Sequence, residues 1–241
     1  MKSSKPFLNL YAKKLPIGFI VLLILFAGAI LIFTFLAHQV LTEKEEQIDL
    51  SVFQYLETYI LSDGMTRFMR VVTYFASAAF LQIAYGIVLI FYLIRRDLKR
   101  VLEIAVIGAG GFLINYTMKL SFRRVRPEHP LIDRLTNFSF PSGHATGGFI
   151  FYGLLVYLLW KSNLPGYIKY IAGSILILFS FLIGFSRIYL RVHYTSDVIA
   201  GFCCGFAWLC LTIYLMEKLK KKSDRELTAR KVPEGQSSLD N

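Results

Sequence analysis

Three short stretches of the chain combine histidines, basic side chains and helix-capping residues at fixed spacing. The first runs from Lys119 to Arg126-Pro127, the second is Phe140-Pro141-Ser142-Gly143-His144-Ala145, and the third is Ser186-Arg187 followed by His193 and Asp197. Lys119, Arg126 and Arg187 are fixed cations, which repel one another at close range unless an anion neutralises them. The Arg fork of donors matches phosphate oxygens, and Lys adds a point charge. Ser142-Gly143 stands where a loop enters an apolar run. The first N–H groups of a helix lack internal partners and carry the positive end of its dipole, a setting that binds phosphate. Gly143 permits close backbone approach, and Ser142 either caps the helix or donates its hydroxyl.

His193 and Asp197 share one face if a helix begins this early. A carboxylate accepting from Nδ1–H fixes the imidazole tautomer and leaves Nε2 free to attack. His144 opens its apolar run on the same side, and a histidine can protonate a leaving oxygen near neutral pH. Together the pieces describe a phosphohistidine mechanism, for which no cofactor is expected. His193 attacks phosphorus, Asp197 orients it, and His144 protonates the leaving alcohol and then activates water. Lys119, Arg126, Arg187 and the Ser142 and Gly143 amides stabilise the equatorial oxygens. Each residue alone has an ordinary explanation: an outer Arg snorkels to headgroups, and Asp197 after Thr195-Ser196 caps a helix. The joint spacing on one side is what points to chemistry.

These clusters must be positioned by helices in a bilayer. Charged residues make up 18% of the chain, against about 25% in soluble domains, and the mean hydropathy is +0.53. Six runs approach the roughly 20 apolar residues that a span needs: Pro16–Val40, Val71–Leu93, Val101–Leu120, Gly143–Trp160, Ile168–Phe185 and Ser196–Met216. The first exceeds a signal-peptide core of about 7–15 residues and has no small-x-small cleavage site after it, so it reads as a retained helix. The expected fold is all-α, an integral membrane bundle of six transmembrane helices over residues 1–220. Residues 221–241 read as a polar tail without a fold of its own.

The formal charge of +11 suits anionic partners, but long apolar runs separate the charges and argue against nucleic acid. Most of the excess is a topology signal. One side of the six-span arrangement holds 17 of the 27 Lys and Arg, which makes that side, with both termini, cytoplasmic. Seven of the other ten crowd into Lys119–Arg134 and Arg187–Arg191, and topology does not explain them. Residues 41–70 carry Glu43, Glu45, Glu46 and Asp49 ahead of a stretch that suits an amphipathic interfacial helix. Cys203, Cys204 and Cys210 lie in one apolar run and read as packing residues, as does Gly201-x-x-x-Gly205.

The pattern Lys-x6-Arg-Pro, Pro-Ser-Gly-His and Ser-Arg-x5-His-x3-Asp resembles the three-part signature of the type 2 phosphatidic acid phosphatase superfamily. Here it reads Lys119…Arg126-Pro127, Pro141-Ser142-Gly143-His144 and Ser186-Arg187…His193…Asp197, with every position matched. The resemblance implies metal-independent phosphatase chemistry on a lipid phosphate, with the roles given above. Vanadium haloperoxidases share the signature but are soluble, which the apolar runs here oppose. Compact bacterial members act on undecaprenyl diphosphate, phosphatidylglycerophosphate, phosphatidate or lipid A phosphates at the outer face of the inner membrane. The resemblance does not choose among these. A phosphotransferase on the same scaffold is the alternative. A lipid transporter is a remote one, because the middle of each run is nearly free of charge.

Several residues stay unassigned. Arg123, Arg124 and Arg134 either guide an anionic substrate, contact a second phosphate, or face solvent and headgroups. His38 and His129 read as structural, and Glu103 as a partner for Arg100. Phe140, Tyr189 and Tyr194 read as lining a lipid entrance or as interfacial aromatics.

Overall fold

The computed structural model describes residues 17–42 and 47–231. The chain forms α1 (Ile17–Thr42), α2 (Gln47–Tyr59), α3 (Asp63–Tyr74), α4 (Ala78–Ile94), α5 (Leu98–Phe122), α6 (Gly143–Trp160), α7 (Gly166–Tyr189) and α8 (Thr195–Lys231). Among the described residues there is no strand. Helices α1, α5, α6, α7 and residues Thr195–Ser223 of α8 are each long and apolar enough to cross a bilayer. The pair α3 and α4, bent by 43° at the intervening break, passes the same test only when its two halves are taken together, which brings the candidate spans from five to six. The chain is thus a multi-pass all-α membrane protein, as its apolar runs predict. Glu43, Glu45 and Glu46 lie outside the described residues, as do the basic residues before Ile17.

The bent pair departs from the expected Val71–Leu93. Its outer half starts at Asp63, where the Ser62 hydroxyl accepts from Met65 N at 3.3 Å. Helix α3 is amphipathic: it buries Met69, Val72 and Thr73 while Arg67 and Arg70 interrupt its hydropathy, so an apolar-run criterion starts too late. At the break, the Ser77 hydroxyl accepts from Phe80 N at 3.2 Å and caps α4.

Helix α6 is the hub. Half of its span is buried inside the protein, against 6% for α1, and it packs along α7, α8 and α5. Side chains of α1 such as Ile24, Leu31 and Phe35 are 61–69% exposed, as lipid-facing residues should be. Gly201 shows why small residues recur in α8: a Cβ there would sit 2.9 Å from the Ser142 carbonyl oxygen. This close approach brings the start of α8 against the start of α6. Cys204 is buried, with its thiol 3.7 Å from the Met118 sulfur, a packing role as expected. Arg100 and Glu103 pair at 3.4 Å.

Helix α2 is the amphipathic helix expected within residues 41–70. It buries Asp49, Phe53 and Leu56 while Leu50, Tyr55 and Tyr59 stay exposed. Phe53 and Leu56 pack on Ile188, Tyr194 and Val198, at the junction of α7 and α8. The segment after residue 220, read as a tail without a fold, continues α8 as helix to Lys231. Residues 232–241 lie outside the described part. With the bent pair taken as one span, the helices leave Ile17 and the end of α8 at one end of the bundle. They put α2, the 123–142 connection and the 190–194 loop together at the other.

Candidate active site

That second side carries the ends of four helices. Lys119 lies in the last turn of α5, Ser142 caps α6, Arg187 lies in the last turn of α7, and Asp197 lies in the first turn of α8. Arg126 comes from the 123–142 connection and His193 from the α7–α8 loop. The three sequence clusters therefore meet. Arg187, His193 and Asp197 are 2%, 1% and 0% exposed, so the groups act in a poorly hydrated setting where charge interactions are strong.

His193 sits between two partners. Its Nδ1 lies 3.3 Å from Asp197 Oδ2, and its Nε2 lies 3.0 Å from Arg126 Nη1. A guanidinium only donates, so Nε2 is the acceptor and Nδ1 carries the hydrogen. Burial, and then the nearby charges of Arg126, Arg187 and Lys119, hold the His193 pKa well below 6.5. The imidazole is therefore neutral at neutral pH and has a lone pair.

Both carboxylate oxygens of Asp197 are bonded. Oδ2 accepts from the Ser139 hydroxyl in a short contact, from Tyr194 N at 3.0 Å and from the His193 side. Oδ1 accepts from Arg124 Nη1 at 2.8 Å. Ser139 also lies 3.4 Å from His193 Nδ1. Sequence reasoning missed Ser139, because a lone Ser between two Phe carries no spacing signal.

The cations are held by backbone carbonyls rather than carboxylates. Lys119 Nζ donates to the Phe138 and Ser139 carbonyls at 2.7 and 3.1 Å. Arg126 donates to the Asn137 and Val192 carbonyls at 2.8 and 2.5 Å, and to Asn137 Oδ1 at 2.7 Å. Burial pushes the Arg126 pKa down to about 10, which still leaves it charged. Arg187 Nη1 donates to the Thr73 hydroxyl at 2.7 Å, while its buried Nε has no acceptor. A buried donor without an acceptor costs about 1–3 kcal/mol. Arg187, Arg126, Lys119 and His193 all lie within electrostatic reach of His144.

Helix α6 aims its N-terminus at this group. The Ser142 hydroxyl accepts from Ala145 N at 3.5 Å. The Ser142 amide is taken, since it donates to the Asp197 carbonyl at 3.0 Å. This differs from the expectation that both the Ser142 and Gly143 amides serve an anion. The first-turn amides without a helical acceptor are those of Gly143 and His144. A side chain at Gly143 would meet Asn115 Oδ1 at 3.2 Å and Lys119 Cε at 3.7 Å.

The unassigned residues separate clearly. Arg124 is neither solvated nor open to a second phosphate: it bridges Asp197 and Asp49 at 2.8 and 3.1 Å and lies 4.1 Å over the Tyr194 ring. Burial alone would lower its pKa, but the charges and hydrogen bonds of Asp197 and Asp49 raise it above the usual guanidinium value. Arg123 and Arg134 are exposed. Phe140, Tyr189 and Tyr194 line no entrance. All three are buried, with Phe140 against Phe33 and Phe122, Tyr189 bonded to Ser62 and Thr66, and Tyr194 against Phe53. His129 and His38 stand outside the cluster, His129 with a left-handed backbone at φ 56° and His38 exposed on α1.

A buried imidazole oriented by a carboxylate, ringed by cations and faced by a helix N-terminus, is a setting suited to a phosphate group in a membrane protein. The profile of the PAP2 superfamily matches residues 100–221, and the chain belongs to that superfamily of lipid phosphatases. It is 30% identical over 200 residues to phosphatidylglycerophosphatase B of Bacillus subtilis, covering 79% of this chain and 94% of the relative. Over 108 residues it is 32% identical to the undecaprenyl-diphosphatase BcrC of the same organism, covering 43% of this chain and 51% of that protein. The crystal structure of the transmembrane PAP2-type phosphatidylglycerolphosphate phosphatase of Bacillus subtilis superposes with a TM-score of 0.69 at 27% identity. That superposition covers 80% of this chain and 96% of the other.

Proposed function

We propose that this enzyme hydrolyses the phosphomonoester or diphosphate headgroup of a membrane lipid through a phosphohistidine at His193, without a metal. The observation that carries the reading is the excess of buried positive charge around His193. Lys119, Arg126 and Arg187 converge there, and the nearest carboxylate, Asp197, is already bound by Arg124. A phosphate group supplies the missing negative charge and gives Arg187 Nε an acceptor.

Binding would proceed by exchange. The phosphate oxygens take the Arg126 donors and the third N–H of Lys119, and this frees the His193 Nε2 lone pair. Nε2 attacks phosphorus as the bond to the lipid oxygen breaks, and the developing imidazolium is balanced by Asp197. His144, at the start of α6, gives a proton to the departing lipid oxygen. It then takes one from the water that attacks the phosphohistidine, releasing phosphate and neutral His193. The Gly143 and His144 amides and the three cations hold the equatorial oxygens throughout.

The metal-free assignment rests on donor chemistry. Both Asp197 oxygens are filled by protein donors, and among the described residues no three His, Cys, Asp or Glu side chains gather as a metal set. The excess of Lys and Arg at the opposite end puts that end and both termini in the cytoplasm. The site then opens on the outer face of the cell membrane. The working unit is residues 1–220, and the stretch from 221 is a basic cytoplasmic extension. The names of the relatives above support phosphatidylglycerophosphate and undecaprenyl diphosphate as the first substrates to test.

Purified protein in mixed micelles tests the reading. Phosphate release from these two lipids, from phosphatidate and from lipid A should persist in chelator and fall with vanadate. Strict dependence on an added divalent ion would refute it.

A further inference from the structure

Asp49 stands outside the three signature clusters, on the buried face of α2, yet it touches the site. Its Oδ1 accepts from Ser196 N at 3.0 Å. Its Oδ2 accepts from the Ser196 hydroxyl at 2.6 Å and from Arg124 Nη2 at 3.1 Å. Arg124 Nη1 in turn donates to Ser196 Oγ and to Asp197 Oδ1, at 2.7 and 2.8 Å. One guanidinium is thus shared by two carboxylates, and one of these orients the nucleophile. Asp49 is 5% exposed, so water screens little of this charge. Helix α2 is also fastened to the α7–α8 loop at its far end, where Glu57 pairs with Arg191 at 2.7 Å.

The charges decide what Asp49 does. Arg124 and Asp197 alone would form a neutral pair, leaving little negative charge for the imidazolium that forms as His193 attacks. With Asp49 included, the trio carries one net negative charge. Asp49 also shares the guanidinium, so that Arg124 meets Asp197 through Nη1 alone.

We propose that Asp49 is a positioning residue of this enzyme, acting through Arg124 and Ser196 to keep the Asp197 carboxylate oriented and charged for His193. The inference rests on the phosphohistidine reading. Interfacial helix α2 is then part of the catalytic apparatus, although no reacting atom touches it.

The test is Asp49→Asn in the full-length protein in mixed micelles. The amide keeps an acceptor for Ser196 N and removes the charge. We expect kcat to fall about tenfold or more, the scale on which groups that orient a histidine's partner act, while KM and thermal midpoint change little. The acid limb of the pH–rate profile should move to lower pH, because removing a negative charge favours neutral His193. Arg126, Arg187, Lys119, His144 and Asp197 also face His193 and are common to both proteins, as is the substrate's own titration. In an Arg124→Gln background the same substitution should cost clearly less than in wild type, because the Arg124 route is gone and only the Ser196 contact remains. Asp49→Glu should recover part of the rate. A kcat within twofold of wild type with an unmoved acid limb would overturn the inference, as would losses at Asp49 and Arg124 that simply multiply. His193→Ala, run alongside, separates the two levels. If it stays active, the phosphohistidine reading has failed and takes this inference with it. If it is dead while Asp49→Asn is normal, only the inference has failed.

Discussion

Arg126 Nη1 lies 3.0 Å from His193 Nε2, so a guanidinium holds the lone pair that the proposed mechanism needs for attack. In that mechanism the nucleophile is guarded until an anion draws Arg126 away. One residue then both binds the substrate and uncovers the attacking atom. That dual role makes Arg126 hard to replace. It also reaches three carbonyls and the Asn137 side chain, a fork geometry that an ammonium does not reproduce.

Arg126→Lys should therefore behave almost like Arg126→Gln. Both should lower kcat/KM by about 10²–10³, as loss of a transition-state donor does. Steady-state phosphate release from a lipid phosphate in micelles measures this, and a Lys variant within a few-fold of wild type would remove Arg126 from that role.

Ser139→Ala removes the hydroxyl that donates to Asp197 Oδ2. The carboxylate then loses a donor on the oxygen that faces His193. A kcat loss of about tenfold is expected, with KM nearly unchanged because the Ser139 hydroxyl holds neither a cation nor the α6 amides, and the carbonyl that accepts from Lys119 is kept. Separate determination of kcat and KM checks the split.

The His193 pKa lies well below 6.5 in the folded protein, and attack needs the neutral ring. The acid limb of kcat/KM assigned to His193 should thus fall below pH 6.5. The same shift has a stability consequence. Below about pH 6.5 the unfolded chain binds a proton that the folded site refuses, so stability from this group falls as pH drops toward the folded pKa. Thermal unfolding between about pH 7.5 and 5.5 should show a steeper loss for wild type than for His193→Gln.

Gly201→Ala places a methyl group 2.9 Å from the Ser142 carbonyl oxygen and 3.0 Å from Ala145 Cβ. Overpacking of this kind costs about 1–3 kcal/mol, and here it also parts the starts of α6 and α8. Both the thermal midpoint and activity should fall. Gly86→Ala, where a Cβ meets nothing within 4 Å, should leave both unchanged.

Much of the architecture was readable from the sequence, for physical reasons that also mark its limits. Lipid demands apolar runs, so α1, α5, α6, α7 and the first part of α8 stand out. Helix α3 does not, because it is half polar and its buried residues interleave with Arg67 and Arg70. The residues that the fold gathers around His193 were readable as a cluster because Lys119, Arg126, His144, Arg187, His193 and Asp197 have types and spacings that packing does not require. Their supports were not. Asp49 lies 147 positions from Ser196, and one acid among several near the α1–α2 connection carries no sign of burial. Arg124 was visible as a cation, but its two carboxylate partners were not. Tyr189, Tyr194 and Phe140 looked interfacial by type, while the fold uses them as filler behind the catalytic loop.

The central claim is a covalent bond between His193 Nε2 and phosphorus. Acid-labile, base-stable protein-bound phosphate can be trapped by rapid quench after mixing the enzyme with radiolabelled lipid phosphate. The account predicts such label on wild type and its accumulation in His144→Gln, where the water step is slowed, provided a diphosphate supplies a good leaving group. It predicts none on His193→Ala. Undiminished label on His193→Ala, or full turnover by that variant without label, would contradict it.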